Sequence, residues 1–273
     1  MPNGERFDVV CGNPPYQNVT KTTSKNGNTQ GGLWYTFLKD VAYNIVKDDG
    51  VIAFITPFIG GIGDYKKKNF KFDWFKKANL KYVNFDATKY FKVNSTICYY
   101  ILDKKYKSDT EITTAKNDNF NINIKDLDVL PFIVTEFNIK ILNKIIKKNQ
   151  NQNNFNFREG PSKNINKPKI AIFSSRYQKW KNLFIDEDGK TDNKYKVSLE
   201  LQDDEIDGAT EYLKLKLPQF YFKIIGGEMG LSPTGILKNL PFVDFTRSWT
   251  DAEIYDHFKL TKAEIKYIEN SVK

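Results

Sequence analysis

Phe7-Asp8-Val9-Val10-Cys11-Gly12-Asn13-Pro14-Pro15-Tyr16 is the stretch on which the fold turns. A short apolar run closed by a glycine and two prolines predicts a buried strand that ends at a stiff turn. The prolines fix the backbone and remove two amide donors, so the turn presents carbonyl oxygens beyond the strand end. Working outward, Leu33, Phe37, Val41 and Ile45 recur four apart, with Leu38 and Ala42 beside them, and predict a helix over 33–47 stopped by Asp48-Asp49-Gly50. Residues 51–55, Val-Ile-Ala-Phe-Ile, read as a second buried strand. Residues 70–78 read as a Lys-rich helix, 80–85 as a third strand and 96–102 as a fourth. Strands alternating with crossover helices predict an α/β fold with a mostly parallel sheet, whose ligands sit at the carboxyl ends of the strands.

The character changes after residue 103. Residues 104–126 are polar and rich in Asn and Lys, and a helix over 135–148 precedes the Asn/Gln tract 149–156, expected to be a linker or exposed loop. Further on, short β-like runs at 170–173, 183–185 and 195–201 surround the turn-rich residues 186–193, which suggests a hairpin. Thr250 with Glu253, and Thr261 with Glu264, mark the starts of two closing helices. The expected division is 1–103, 104–240 and a C-terminal helical segment 241–273.

Composition narrows the chemistry. Two cysteines and one histidine among 273 residues exclude a disulfide framework and a Cys/His zinc site. The longest apolar run, 51–62, is broken by Pro57, Gly60 and Gly61, and residues 1–20 hold no apolar core, so neither a signal peptide nor a membrane span is predicted and the expected location is cytoplasmic. A net charge of +9 suits a polyanionic partner, double-stranded DNA first among them. The same charge also follows from an AT-rich coding sequence, because the basic residues are lysines except for Arg6, Arg158, Arg176 and Arg247.

The turn itself supplies the sharpest reading. The Asn13 side-chain oxygen and the Pro14 carbonyl can accept both hydrogens of one exocyclic amino group, which draws the nitrogen lone pair out of conjugation and makes it nucleophilic. Tyr16 can stack on the ring that carries that amino group. On these residues the sequence resembles the S-adenosylmethionine-dependent N6-adenine DNA methyltransferases of restriction–modification systems. The resemblance extends over 33–46, 50–57 and 91–102, and more loosely to 240–251. It implies a partial Rossmann-like methyltransferase sheet followed by a mixed α+β target-recognition domain. It also implies catalysis by Asn13, Pro14, Pro15 and Tyr16, with Phe91 packing against an extruded adenine.

The resemblance implies further that the loop 20–32, with Lys21 and Lys25, closes over substrate. Lys66, Lys67 and Lys68, continued by Lys71, Lys76 and Lys77, form a candidate phosphate-binding face. Arg176 and Gln178, beside Lys179, are candidate base readers, although the same stretch reads equally as a strand exit with a buried Trp180. The glycine-rich turn and acidic strand end that hold S-adenosylmethionine in the family do not precede Phe7 here. Glycine clusters at 60–63 and 226–230 lack the required surroundings. Asn13 is therefore expected to form only one edge of the cofactor site, and a separate cofactor-binding half or subunit, with a cognate restriction endonuclease, is an expected partner. Two other readings stay open: a methyltransferase of RNA or protein glutamine, and a non-enzymatic DNA-binding remnant or specificity subunit.

Overall fold

The structure is a computed structural model and describes residues 4–16, 32–59, 70–91, 97–131, 133–150, 157–159, 168–173, 183–186, 195–225 and 240–272. β1 (Phe7–Gly12) pairs in parallel with β2 (Val46–Pro57), and β2 pairs antiparallel with β4 (Ile97–Asp103). β4 runs antiparallel to β3 (Leu80–Asn84), β3 parallel to β5 (Thr110–Thr113), and β5 antiparallel to β6 (Asn119–Ile122). The result is a six-stranded sheet in the order β1-β2-β4-β3-β5-β6. It is mixed rather than mostly parallel, because β4 is inserted against the direction of both its neighbours. The described residues fall into two compact units, and the first closes at Leu127, so the polar stretch after 103 folds with this sheet.

Three local expectations change with the pairing. β1 is not buried: among the described residues it has a neighbour on one side only, and every residue but the half-buried Val10 is exposed. Its apolar run describes a strand for an interior that the described residues do not complete. The helical segment α1 has three parts, Gly32–Thr36, a π-type stretch Phe37–Ala42, and Tyr43–Ile45. The Tyr43 amide reaches back five residues to the Leu38 carbonyl, which widens the turn, and the inner face carries Trp34, Leu38 and Ala42. Phe37 and Val41, expected on that face, are exposed. Nor do Asp48-Asp49-Gly50 end the helix. They lie inside β2, where a Cβ on Gly50 would stand 2.7 Å from the Asp8 carbonyl oxygen, and glycine permits that approach.

Along β2, Ile52, Phe54 and Thr56 are buried while Val51, Ala53 and Ile55 are half-exposed, the alternation of a sheet with one well-covered face. The short helix α2 (Phe70–Lys77) contributes Phe72 and Phe75 to the core, and the Phe75 ring meets Tyr100 of β4 edge-on at 4.9 Å.

The second unit has its own core. α3 (Glu136–Gln150) buries Ile141, Leu142, Ile145 and Ile146 in a cluster shared with Phe220, Phe242, Phe245 and Ile254. A four-stranded antiparallel sheet has the order β7 (Phe157–Glu159), β10 (Tyr195–Glu200), β8 (Lys169–Phe173), β9 (Leu183–Asp186). The expected hairpin is therefore absent, since β9 and β10 lie on opposite sides of β8. Asn149, expected in a linker, is buried in the last turn of α3; it donates to the Leu240 carbonyl at 2.7 Å and accepts from the Phe242 amide at 3.2 Å. α4 (Ile206–Tyr212) packs so closely that a Cβ on Gly208 would meet the Phe245 carbonyl oxygen. α5 (Lys216–Ile225) is largely buried. Both expected capping boxes form, Thr250 with Glu253 on α6 (Asp251–His257) and Thr261 with Glu264 on α7 (Lys262–Ser271).

Candidate active site

The pairing fixes where the candidate residues emerge. β1, β2 and β3 run in one direction, so their carboxyl ends, Gly12, Pro57 and Asn84, lie along the same edge of the sheet, and β4 enters from that edge at Ile97. Asn13 to Tyr16 leave the end of β1, Phe58 and Ile59 the end of β2, and Phe85 to Phe91 the end of β3. The Phe58 and Phe85 rings meet at 5.2 Å between centroids and tie the second and third of these exits together.

Within the turn, the four residues divide into anchors and presented groups. Pro14 is buried and Asn13 and Pro15 are exposed, so a proline packed into the protein holds the asparagine out at the strand end. Tyr16 is half-buried, its hydroxyl shielded from solvent with no hydrogen-bond partner among the described residues. Burial raises the pKa of that hydroxyl, and the Cys98 thiol adds to the rise. The nearby Asn13 side chain opposes it without a bond of ordinary geometry. Beneath the turn, burial pushes the Cys98 thiol up to about 12, which keeps it a neutral packing group. Tyr100 is fully buried and its hydroxyl likewise lacks a partner among the described residues. The Tyr16 and Tyr100 hydroxyls are thus two buried polar groups without a hydrogen-bond partner among the described residues, a costly arrangement.

Phe91 is half-buried and closes a short 3-10 turn, Ala87–Tyr90. Side chains hold that turn at both ends. The Asp86 amide donates to Asn84 Oδ1 at 2.7 Å, and the Ile97 amide donates to Thr88 Oγ1 at 2.8 Å. Sequence reading had no means of finding Thr88, whose role depends on β4 arriving beside it. The density of aromatics at Phe85, Tyr90 and Phe91 directly after a strand was the available signal.

Of the expected basic face, Lys76 turns inward, to Asp73 Oδ1 at 3.0 Å and the Leu127 carbonyl at 2.9 Å, while Lys77 is exposed. Lys21, Lys25, Lys66, Lys67, Lys68, Arg176, Gln178 and Lys179 lie outside the described residues, as do both glycine clusters and the side chain of Lys71. His257 packs edge-on between Trp249 and Phe258, and burial, with Lys148 and Arg247 nearby, lowers its pKa. Among the described residues no three His, Cys, Asp or Glu side chains gather to hold a metal, and no helix is long and apolar enough to cross a membrane.

With this geometry in view, comparison with known proteins bears on one part of the chain. Residues 2–91 match the Eco57I restriction-modification methylase family. The methylase match begins before β1 and ends at Phe91, and so takes in the Asn13–Tyr16 turn, α1, β2, α2, β3 and the turn that follows it. It bears out the restriction–modification methyltransferase resemblance over the segment that forms the sheet edge. Methylases of this kind act on DNA and in general take their methyl group from S-adenosylmethionine. No curated protein matches the chain.

Proposed function

We propose that this chain is the catalytic-turn and target-recognition part of a site-specific N6-adenine DNA methyltransferase. The observation that carries the reading is Asn13, exposed at the carboxyl end of a parallel strand on a buried proline, inside the segment that matches the methylase family. The Asn13 side-chain oxygen and the Pro14 carbonyl accept the two N–H bonds of an extruded adenine amino group and hold its lone pair toward the incoming methyl. Attack by the nitrogen would form its bond to the methyl carbon as that carbon's bond to the donor's sulfonium sulfur breaks and the thioether leaves, and the nitrogen would then shed one proton to solvent. Tyr16 and Phe91 grip the adenine ring. Lysines at 21, 25 and 66–68 hold phosphates, and Arg176, Gln178 and Lys179 read the duplex from the second unit.

S-adenosylmethionine supplies the methyl group when bound, and the first unit fits one wall of a site for it. Ligands of open α/β sheets lie where the strand order reverses. At β1 that reversal requires a further strand on its outer edge. There Phe7 and Val9 are 44% and 59% exposed on a parallel strand, although parallel strands are ordinarily covered on both faces. The proposal therefore gives Asn13 one wall of the cofactor site and assigns the other to a separate cofactor-binding segment or subunit.

Fluorescence anisotropy with a labelled DNA duplex tests the substrate class, with an RNA hairpin and a glutamine-bearing peptide as competitors. The expected result is duplex binding that weakens steeply as salt rises, because lysine–phosphate contacts release counterions. Preference for the RNA or the peptide, or affinity indifferent to salt, contradicts the proposal.

A further inference from the structure

Tyr90 is 72% exposed, more than any other large apolar side chain singled out at the surface of the described residues. An exposed tyrosine by itself means little. This one stands on the 3-10 turn after β3, on the sheet edge where Asn13 emerges, and directly before the half-buried Phe91. The turn is braced for so short a segment. Asn84 and Thr88 each accept a backbone amide, the Phe91 amide donates to the Thr88 carbonyl at 3.0 Å, and Lys89 is ion-paired to Asp86. The Lys89 ammonium, so clamped, lies 5.1 Å from the centroid of the Tyr90 ring. An aromatic face kept in water on a rigid support, with a cation against it, forfeits little conformational freedom when a second flat ring settles on it.

We infer that Tyr90 is a stacking residue for an unpaired nucleobase, distinct from Phe91, and that Lys89 supports its ring. The inference rests on the DNA reading above and adds a specificity-determining residue to it. A base inside a duplex has both faces covered and cannot use this platform. An unpaired base can, so Tyr90 favours DNA in which a second base, beside the one gripped by Tyr16 and Phe91, is out of the stack.

The test compares the affinity of the full chain for two labelled duplexes, one carrying a single bulged adenine, which the Tyr16 and Phe91 grip can take, and one carrying two adjacent bulged adenines, which leaves the second for Tyr90. The unaltered protein prefers the duplex with two bulged adenines. Tyr90→Ala reduces that preference by about five- to a hundred-fold, the scale of one lost base–aromatic stack. Tyr90→Trp retains it. Because the side chain is exposed, the thermal midpoint of the variant stays unchanged, which separates lost stacking from lost folding. A Tyr90→Ala variant that keeps the preference overturns the inference, and so does one that weakens both duplexes equally, since a stacking residue must discriminate. Should the unaltered protein bind neither duplex, the DNA reading fails and this inference falls with it. Binding that persists while the preference stays fixed removes Tyr90 alone.

Discussion

The two units use their apolar residues differently. In the second, Leu142, Ile145, Phe220, Phe242, Phe245 and Ile254, from three helices and the stretch before the last of them, are buried in one cluster. In the first, Phe7, Val9, Phe37 and Val41 lie exposed on β1 and α1, the edge strand and the helix that follows it, although the interior beneath β2 and β4 is well packed. A cluster that satisfies itself needs nothing more. A parallel edge strand with open apolar faces has the composition of an interior position and the exposure of a margin, which is what a sheet continued at β1 by another segment requires. The contrast teaches that, among the described residues, the second unit buries its apolar side chains together while the first leaves some of them open beside the Asn13–Tyr16 turn.

Paired substitutions break or sharpen that contrast. Phe220→Ala empties a sealed position and should cost about 3–5 kcal/mol in urea unfolding, while Val9→Ser at the exposed edge should shift stability by no more than about 0.5 kcal/mol. Comparable losses at both sites would mean that β1 is buried in solution, and the contrast would disappear.

A smaller effect is expected at Glu264. Burial alone would raise its carboxyl pKa, yet the Lys144 ammonium at 2.7 Å and the Thr261 amide at 2.6 Å hold it below the ordinary value. A carboxylate with a depressed folded-state pKa stabilises fully above its unfolded value of about 4.5, and that contribution is lost as pH falls through the folded value. Glu264→Gln should therefore flatten the acid limb of the stability profile and leave the first unit untouched. Thr261→Ala, which removes the cap on α7, should cost about 1 kcal/mol at neutral pH. An unchanged acid limb in Glu264→Gln would show that the ion pair contributes nothing to the second unit's stability.

What could be read ahead of the structure follows the range of the interactions. Strands β3 and β4, helix α2 and the Thr250 and Thr261 caps depend on neighbours within a few residues and were legible. The exposure of β1 was not, because FDVVCG has the composition of a buried strand and only the absence of a second neighbour among the described residues leaves it open. The inner face of α1 was legible only in part: Leu38 and Ala42, expected beside the apolar stripe, are buried with Trp34, whereas Phe37 and Val41, expected at its centre, are exposed. The separation of β9 from β10 rests on pairing across β8, which local turn chemistry does not encode. At the candidate site, the Asn13–Tyr16 turn was legible from four consecutive residues. Its braced companion, Ala87–Tyr90, depends on Thr88 meeting Ile97, a contact made only once the sheet has formed.

The central claim is that the Asn13 turn activates an adenine amino group, and Asn13→Ala tests it most directly. With the cofactor-binding segment supplied, methyl incorporation into duplex DNA from labelled S-adenosylmethionine should fall by a factor on the order of a hundred or more, the scale of losing one preorganised partner of a transition state. Duplex affinity should remain, since the proposal sets Asn13 against the extruded base and not the phosphates. Full methylation by the Asn13→Ala protein would contradict the account and move the chemistry away from the end of β1.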